Sequence, residues 1–283
     1  MTTTVCLTFD FDAVSLWVST FKLTTPTPLS RGEFGARIGV PRILDVLAKK
    51  AVPATFFVPG HTAVNFPEAV RAIAGKGHEI ALHGYCHETP VGRTRDEEMD
   101  LLKRSVEKLR ATLGTGYTPA GYRSPSWDLS QNSIGCLEEL GLTYDSSMMA
   151  DDFRPYVPRK GTAADEETFT PGTPARLIEM PVAWELDDFP YFCRVGRINE
   201  GLKSPDDVFA IWKDEFDYCR EEIEDGVYTL TMHPQVMGRG PRMRMLERLV
   251  DHMQTHADVR FSTVADEAKR QMQKLAKGAE RQP

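Results

Sequence analysis

The sequence predicts an α/β fold whose parallel sheet closes into a barrel. Strand-like and helix-like stretches alternate along the 283 residues, the order that parallel sheets with covered faces require. No low-complexity linker divides the chain, and its length suits one large domain rather than two. The polar residues suited to chemistry gather at one end of the expected strands. Asp10, Asp12, His83, His87, Arg123, Trp184 and His233 all fall at or just beyond strand C-termini, the face on which barrel active sites form.

The first strand, over 5–12, reads V-C-L-T-F-D-F-D. Asp10 and Asp12 are two apart, so on an extended backbone they share a face, with α-carbons roughly 6.7 Å apart. Residues 13–39 hold aromatics, threonines and prolines without a clear period; a loop of that length is expected to be functional or to touch a partner. A helix follows over 41–50, with Ile43, Leu44 and Leu47 on one face. A compact strand over 54–58 ends at Pro59-Gly60-His61, and a helix over 67–76 stops before Gly77. The strand over 79–83 delivers His83-Gly84-Tyr85-Cys86-His87-Glu88. Met99, Leu102, Val106, Leu109 and Leu113 recur at helical spacing over 95–113. A strand over 121–123 opens onto Ser124-Pro125-Ser126-Trp127. A helix over 131–140 closes at Gly141, and a strand over 142–145 follows. Residues 151–175 read as surface loop. A strand over 177–182 leads to Trp184. The helix over 206–224 presents Val208, Ile211, Trp212 and Phe216 to the core. A strand over 227–232 ends at His233-Pro234. Helices over 241–256 and 263–275 flank a short strand over 259–261. The domain is expected to span 1–275, with 276–283 a charged, frayed tail.

Composition narrows the function. The chain is 41% hydrophobic and 27% charged, with a net charge of −7, which argues against a nucleic-acid surface. No stretch approaches the roughly 18 uncharged apolar residues of a membrane span. The N-terminal residues lack a basic region followed by a long apolar one, so a cytoplasmic location is expected. Five cysteines without a C-x-x-C pattern fit reduced thiols.

The chemistry starts from two carboxylates at one strand end. They repel unless a cation or a proton lies between them, which suggests that one binds a metal and the other acts as a base. His83-x-x-x-His87 follows a second strand, and imidazoles four apart can share one ion. Two histidines and one carboxylate, with a position left for water, form a catalytic zinc arrangement. The same triad also suits ferrous iron and other divalent ions. Cys86 is a weaker candidate ligand.

The ordered set Thr8-Phe9-Asp10-Phe11-Asp12, His83 to Glu88, Arg123-Ser124-Pro125 and Thr231-Met232-His233-Pro234 resembles the polysaccharide deacetylase (NodB homology) family over nearly the whole chain. Pro59-Gly60-His61, Gly77-His78-Glu79-Ile80 and His87-Glu88 are most like one branch of it. That branch holds peptidoglycan deacetylase-like proteins, cyclic imide hydrolases and a cofactor-free allantoinase. The resemblance implies a distorted (β/α)7 barrel that hydrolyses a non-peptide C–N bond with a divalent metal, zinc foremost. By matching motif positions, Asp12, His83 and His87 would hold the metal and Asp10 would be the general base. Arg123 would orient Asp10, and His233 would be the general acid. A backbone N–H around Ser126 would share the developing oxyanion. Trp127 and Trp184 are candidate pocket walls, and His61 is a candidate substrate contact. Three positions depart from the common pattern. Phe11 separates the two aspartates, Gly84 stands where a Ser or Thr is usual, and 184–188 match the Trp/Asp motif only loosely, which leaves the partner of His233 open.

Two substrate classes follow: small cyclic imides or amides, and N-acetylated sugars as oligosaccharides. The long 13–39 segment, placed to cap the site, favours the small substrate. A barrel that binds carbohydrate without turnover is the third alternative. Self-association through the 13–39 segment is also expected.

Overall fold

The computed structural model describes residues 2–196 and 198–279. Among these residues, eight strands form one parallel sheet. They are β1 (Thr3–Asp10), β2 (Thr55–Val58), β3 (Glu79–Leu82), β4 (Gly121–Tyr122), β5 (Tyr144–Asp145), β6 (Ile178–Glu179), β7 (Val227–Met232) and β8 (Val259–Phe261). Seven lie in the order β6-β5-β4-β3-β2-β1-β7. β1 is the axis of the sheet. One edge pairs with β7 from Thr4 to Phe9, and the other is shared by β2 at Thr8–Asp10 and β8 at Thr3–Val5. All eight β1 residues are buried, as a strand covered on both faces should be.

The barrel is distorted in a way that builds the site. Among the described residues its end strands β6 and β7 form no ladder. A parallel bridge between Asp187 and Thr231 joins the chain beyond β6 to β7. Closure therefore occurs near the C-terminal rim, and it draws 187–188 against the end of β7.

Residues 13–39 are not a loop. They contain a π-helical turn (Leu16–Thr20), a helix (Pro26–Phe34) and a second π-helical turn (Gly35–Gly39) that runs into the helix Val40–Lys50. The apolar period fails there because glycines form the packing face. A Cβ on Gly32 would stand 2.6 Å from the Ala13 carbonyl, and one on Gly39 would stand 2.2 Å from the Pro234 oxygen. Close backbone approach replaces side-chain burial, so a hydrophobicity pattern cannot register it. The 151–175 stretch also carries structure, as two antiparallel ribbons, Arg159–Lys160 with Thr173–Pro174 and Ala163–Ala164 with Phe169–Thr170.

The expected helices form within a few residues of their boundaries. In the helix Pro205–Glu222, Val208, Trp212 and Phe216 are buried. Ile211, expected beside them, is exposed, because the buried face runs through Val208, Trp212, Phe216 and Cys219 and Ile211 lies off it. The last helix, Val264–Ala279, continues beyond the boundary expected at 275; residues 280–283 lie outside the described residues. No helix among the described residues is long and apolar enough to cross a membrane.

Candidate active site at the C-terminal rim

Asp10, Asp12, His83, His87, Arg123 and His233 lie at or just beyond strand ends and converge at the C-terminal rim. Asp12, His83 and His87 offer ligand atoms that all lie within 4.8 Å of one another, and all three residues are buried. Asp12 Oδ1 stands 3.4 Å from His83 Nε2 and 3.8 Å from His87 Nε2. Two ligands about 2.1 Å from a tetrahedral ion lie about 3.4 Å apart, so the spacing suits a shared cation. Asp12 Oδ1 and His83 Nε2 are both buried without a hydrogen-bond partner, an arrangement that costs free energy unless something charged sits between them.

The surroundings aim those lone pairs. His83 Nδ1 lies 2.7 Å from the Arg123 carbonyl oxygen. A carbonyl can only accept, so the proton is on Nδ1 and Nε2 is free to ligate. The Thr20 hydroxyl donates to the His87 carbonyl at 2.9 Å, and its oxygen lies 2.7 Å from His87 Nδ1. Its only proton being spent, it accepts from Nδ1–H and leaves His87 Nε2 free as well. Gln235 Nε2 donates to Asp12 Oδ2 at 3.1 Å, which reserves Oδ1. Burial works against a charged Asp12, but the imidazoles of His87, His83 and His233 hold its pKa at about 2. Burial pushes His87 down to about 4, so it is a neutral donor at physiological pH.

The turn that carries the second histidine is strained. Gly84 has φ +66° and His87 itself has φ 57°, a region that β-carbon sterics disfavour. Glu88 accepts from the Tyr85 and Cys86 N–H groups, and Thr20 ties His87 at two atoms. Gly84 therefore supplies the conformation that a Ser or Thr at this position would resist. Replacing Thr20 by Val removes the hydroxyl at constant shape. Zinc affinity is expected to fall ~10–100-fold with the fold intact; a titration showing unchanged affinity would exclude Thr20 as an orienting residue. Cys86 stands outside the donor group, and burial raises its thiol to about 11.

Asp10 is held from the other side. Arg123 is fully buried and donates from Nη1 to Asp10 Oδ1 at 2.8 Å and to Thr8 Oγ1 at 2.9 Å. Its Nε and Nη2 each meet Ser146, at the carbonyl and the hydroxyl, both at 3.0 Å. The guanidinium lies 4.1 Å over the Phe57 ring. The second Asp10 oxygen stands 3.8 Å from His83 Nε2, at the edge of the donor group.

His233 completes the ring of groups. Its Nδ1 lies 2.7 Å from Asp188 Oδ1, and its backbone N–H donates to Asp188 Oδ2 at 3.0 Å. Asp187 Oδ1 is 3.5 Å from the same nitrogen. Burial opposes a charged imidazole, but Asp187 and Asp188 outweigh it and raise the His233 pKa well above its ordinary value. His233 Nε2 is 3.9 Å from Asp12 Oδ2.

Over these groups lies a cavity of about 320 Å³. Asp10, His87 and His233 line its polar side; Leu16, Phe21, Trp127, Trp184 and Phe189 line its apolar side. The Trp127 and Trp184 rings lie against each other, 4.4 Å between centroids and tilted by 31°. Ser126, at φ 57°, and Thr20 also line the cavity. His61 does not: it sits in a short helix, Gly60–Asn65, with its ring edge-on to Tyr85, so its proposed contact with substrate has no geometric support.

Three residues escaped the sequence reading. Thr20 lay in a segment without a period, and Asp188 was one of two adjacent aspartates. Gln235 was open to discovery, because it stands just past a strand end like the others.

The arrangement has relatives. The polysaccharide deacetylase family profile matches residues 3–144. The peptidoglycan deacetylase of Helicobacter pylori is 35% identical over 275 residues, covering 91% of this chain and 93% of that protein. The peptidoglycan deacetylase-like protein FGM2 of Gibberella zeae is 30% identical, covering 83% and 75%. Among solved structures, a candidate polysaccharide deacetylase from Mycobacterium smegmatis superposes with a TM-score of 0.83 at 34% identity, over 95% of this chain and 91% of that one. Puue Allantoinase shares the fold, with a TM-score of 0.76 at 23% identity over 94% and 90%. The strand-end constellation and these full-length likenesses place the chain in the polysaccharide deacetylase family, whose members hydrolyse non-peptide C–N bonds.

Proposed function

We propose that the chain is a metal-dependent amidohydrolase acting on a small cyclic imide or amide. The observation that carries this reading is the cavity. At about 320 Å³ it matches a small molecule, and Leu16, Thr20 and Phe21 of the 13–39 segment form one of its sides. A flat ring fits between aromatic walls, whereas an extended glycan needs an open groove.

Asp12, His83 and His87 would hold the cation. When bound, a divalent ion polarises the scissile carbonyl and brings the pKa of a water toward neutrality. Arg123 fixes Asp10 so that its free oxygen faces the cavity, placed to take the proton of the attacking water. The C–N bond then breaks, and the ring nitrogen needs a proton to leave. His233 supplies it from Nε2, because Asp188 holds Nδ1 and turns the other nitrogen toward the cavity. The Ser126 backbone is placed to share the oxyanion. Trp127, Trp184 and Phe189 exclude water from the ring faces.

The second reading is N-deacetylation of a sugar, and the 35% identity to the Helicobacter pylori peptidoglycan deacetylase supports it. Zinc-loaded protein assayed side by side separates the two. One arm measures ring-opening of cyclic imides, dihydropyrimidines and allantoin; the other measures acetate release from N-acetylglucosamine oligomers. Ring-opening that stops on chelation, without acetate release, is expected. Acetate release alone would overturn the small-substrate reading and leave the deacetylase.

A further inference from the structure

Behind the metal-ligand group lies a second cavity of about 390 Å³, lined by Arg31, Arg194, Arg239, Arg242, Cys193 and Gln235 among others. The chain is acidic overall, at −7, yet among the described residues these arginines have no ion-pair partner. Arg31 donates to the Arg194 carbonyl and the Cys193 sulfur. Arg242 donates to the Val236 and Phe192 carbonyls. Arg42, just outside the lining, donates to the Gly238 carbonyl. Among the described residues no carboxylate forms an ion pair with Arg31, Arg42, Arg194, Arg239 or Arg242; Asp188 acts on Arg242 only at longer range.

The guanidinium groups are held in place by stacking instead. Arg31 lies 4.2 Å over Trp17, Arg239 3.6 Å over Phe34 and Arg242 4.5 Å over Phe192. Arg239 is the N-cap of the 15-residue helix Gly240–Gln254, and Arg242 lies in its first turn, which has no acidic residue. Cations at that end oppose the helix dipole. Burial, only partial at Arg239, lowers the pKa of Arg239 and Arg242, and the neighbouring arginines add to it. Such a cluster stores unfavourable energy that a multivalent anion would release.

We propose that this arginine-lined cavity binds a small phosphate-type oxyanion, either inorganic phosphate or the phosphate group of a small ester. Arginine forks match the oxygens of a phosphate. Gln235 is the wall shared with the metal-ligand group, since its Nε2 also holds Asp12. The cavity does not depend on which amide the catalytic pocket takes.

The test is calorimetric titration of full-length, chelator-treated protein, so that no phosphate can sit on a metal. The titrants are inorganic phosphate, a sugar phosphate, and chloride at matched ionic strength. Saturable phosphate binding is expected, with no chloride response. Arg239→Gln and the Arg31→Gln/Arg239→Gln double variant should weaken it about tenfold or more, while Arg239→Lys keeps part of it. Arg239 is exposed and makes only a stacking contact, so its variants keep the fold; circular dichroism checks this. Tighter binding of the sugar phosphate would identify an ester ligand, and equal or weaker binding would identify free phosphate. Absence of saturable binding, an equal chloride response, or full affinity in the double variant would overturn the proposal.

Discussion

Asp12→Ala is expected to emerge from dialysis without stoichiometric metal, while Asp10→Asn keeps its metal and loses ~10²–10⁴-fold in kcat. The two aspartates differ in what surrounds them. Asp12 faces both imidazole nitrogens with an oxygen that nothing else binds. Loss of that oxygen should cost more than the ~10–100-fold that removing an outer partner costs. Asp10 is committed to Arg123 through Oδ1. Asparagine keeps an acceptor for that guanidinium and removes only the basicity. Alanine at 10 would be the poorer test, because a buried arginine left without its partner costs about 3–5 kcal/mol of stability. Metal content by elemental analysis, read beside kcat and KM, decides the matter. Full metal in Asp12→Ala would sink the ligand assignment, and full turnover in Asp10→Asn would sink the base.

Most of this site was legible because strand ends are legible. β3 and β7 are short, mostly apolar runs followed directly by a histidine, and β1 ends on Asp10 with Asp12 two residues on. What the sequence concealed has a common physical cause. Thr20 reaches His87 from a segment whose glycines at 32 and 39 pack closely on the backbone of Ala13 and Pro234, and no hydrophobic period records such contact. Asp187 and Asp188 are indistinguishable in sequence. The bridge from Asp187 to Thr231 sets the register that turns Asp188 to His233, and a single bridge carries no pattern. His61 shows the converse, because a histidine just past a strand end can be carried by a short helix against a neighbouring ring, here Tyr85, instead of into the cavity. The closed barrel was likewise only half legible. Alternation predicts parallel pairing, but whether the end strands meet depends on curvature summed over strands as short as two residues.

Asp188→Asn should be nearly as damaging as His233→Ala, with kcat lower by ~10²–10⁴-fold in each and metal content unchanged. Asp188 is not itself near the cavity's reacting atoms; it acts through the imidazole. Its two oxygens accept from Nδ1–H and from the backbone N–H of His233. An asparagine has one acceptor oxygen for these two donors. If the oxygen stays on the backbone N–H, the amide NH₂ faces Nδ1 and forces that nitrogen to accept. His233 is then a neutral imidazole with its proton on Nε2. That proton is far less acidic than the one on an imidazolium, so the leaving nitrogen departs poorly. The defect should therefore scale with the leaving group. Amides whose nitrogen departs without help should be cleaved at close to the normal rate, whereas basic amines should suffer most. A merely structural role for Asp188 predicts a loss that is the same for every leaving group and accompanied by a lower melting temperature. Rates across a leaving-group series in the metal-loaded variant, with Asp188→Glu as a partial rescue, distinguish the two. A flat series would remove Asp188 from the proton transfer and leave His233 to be explained without it.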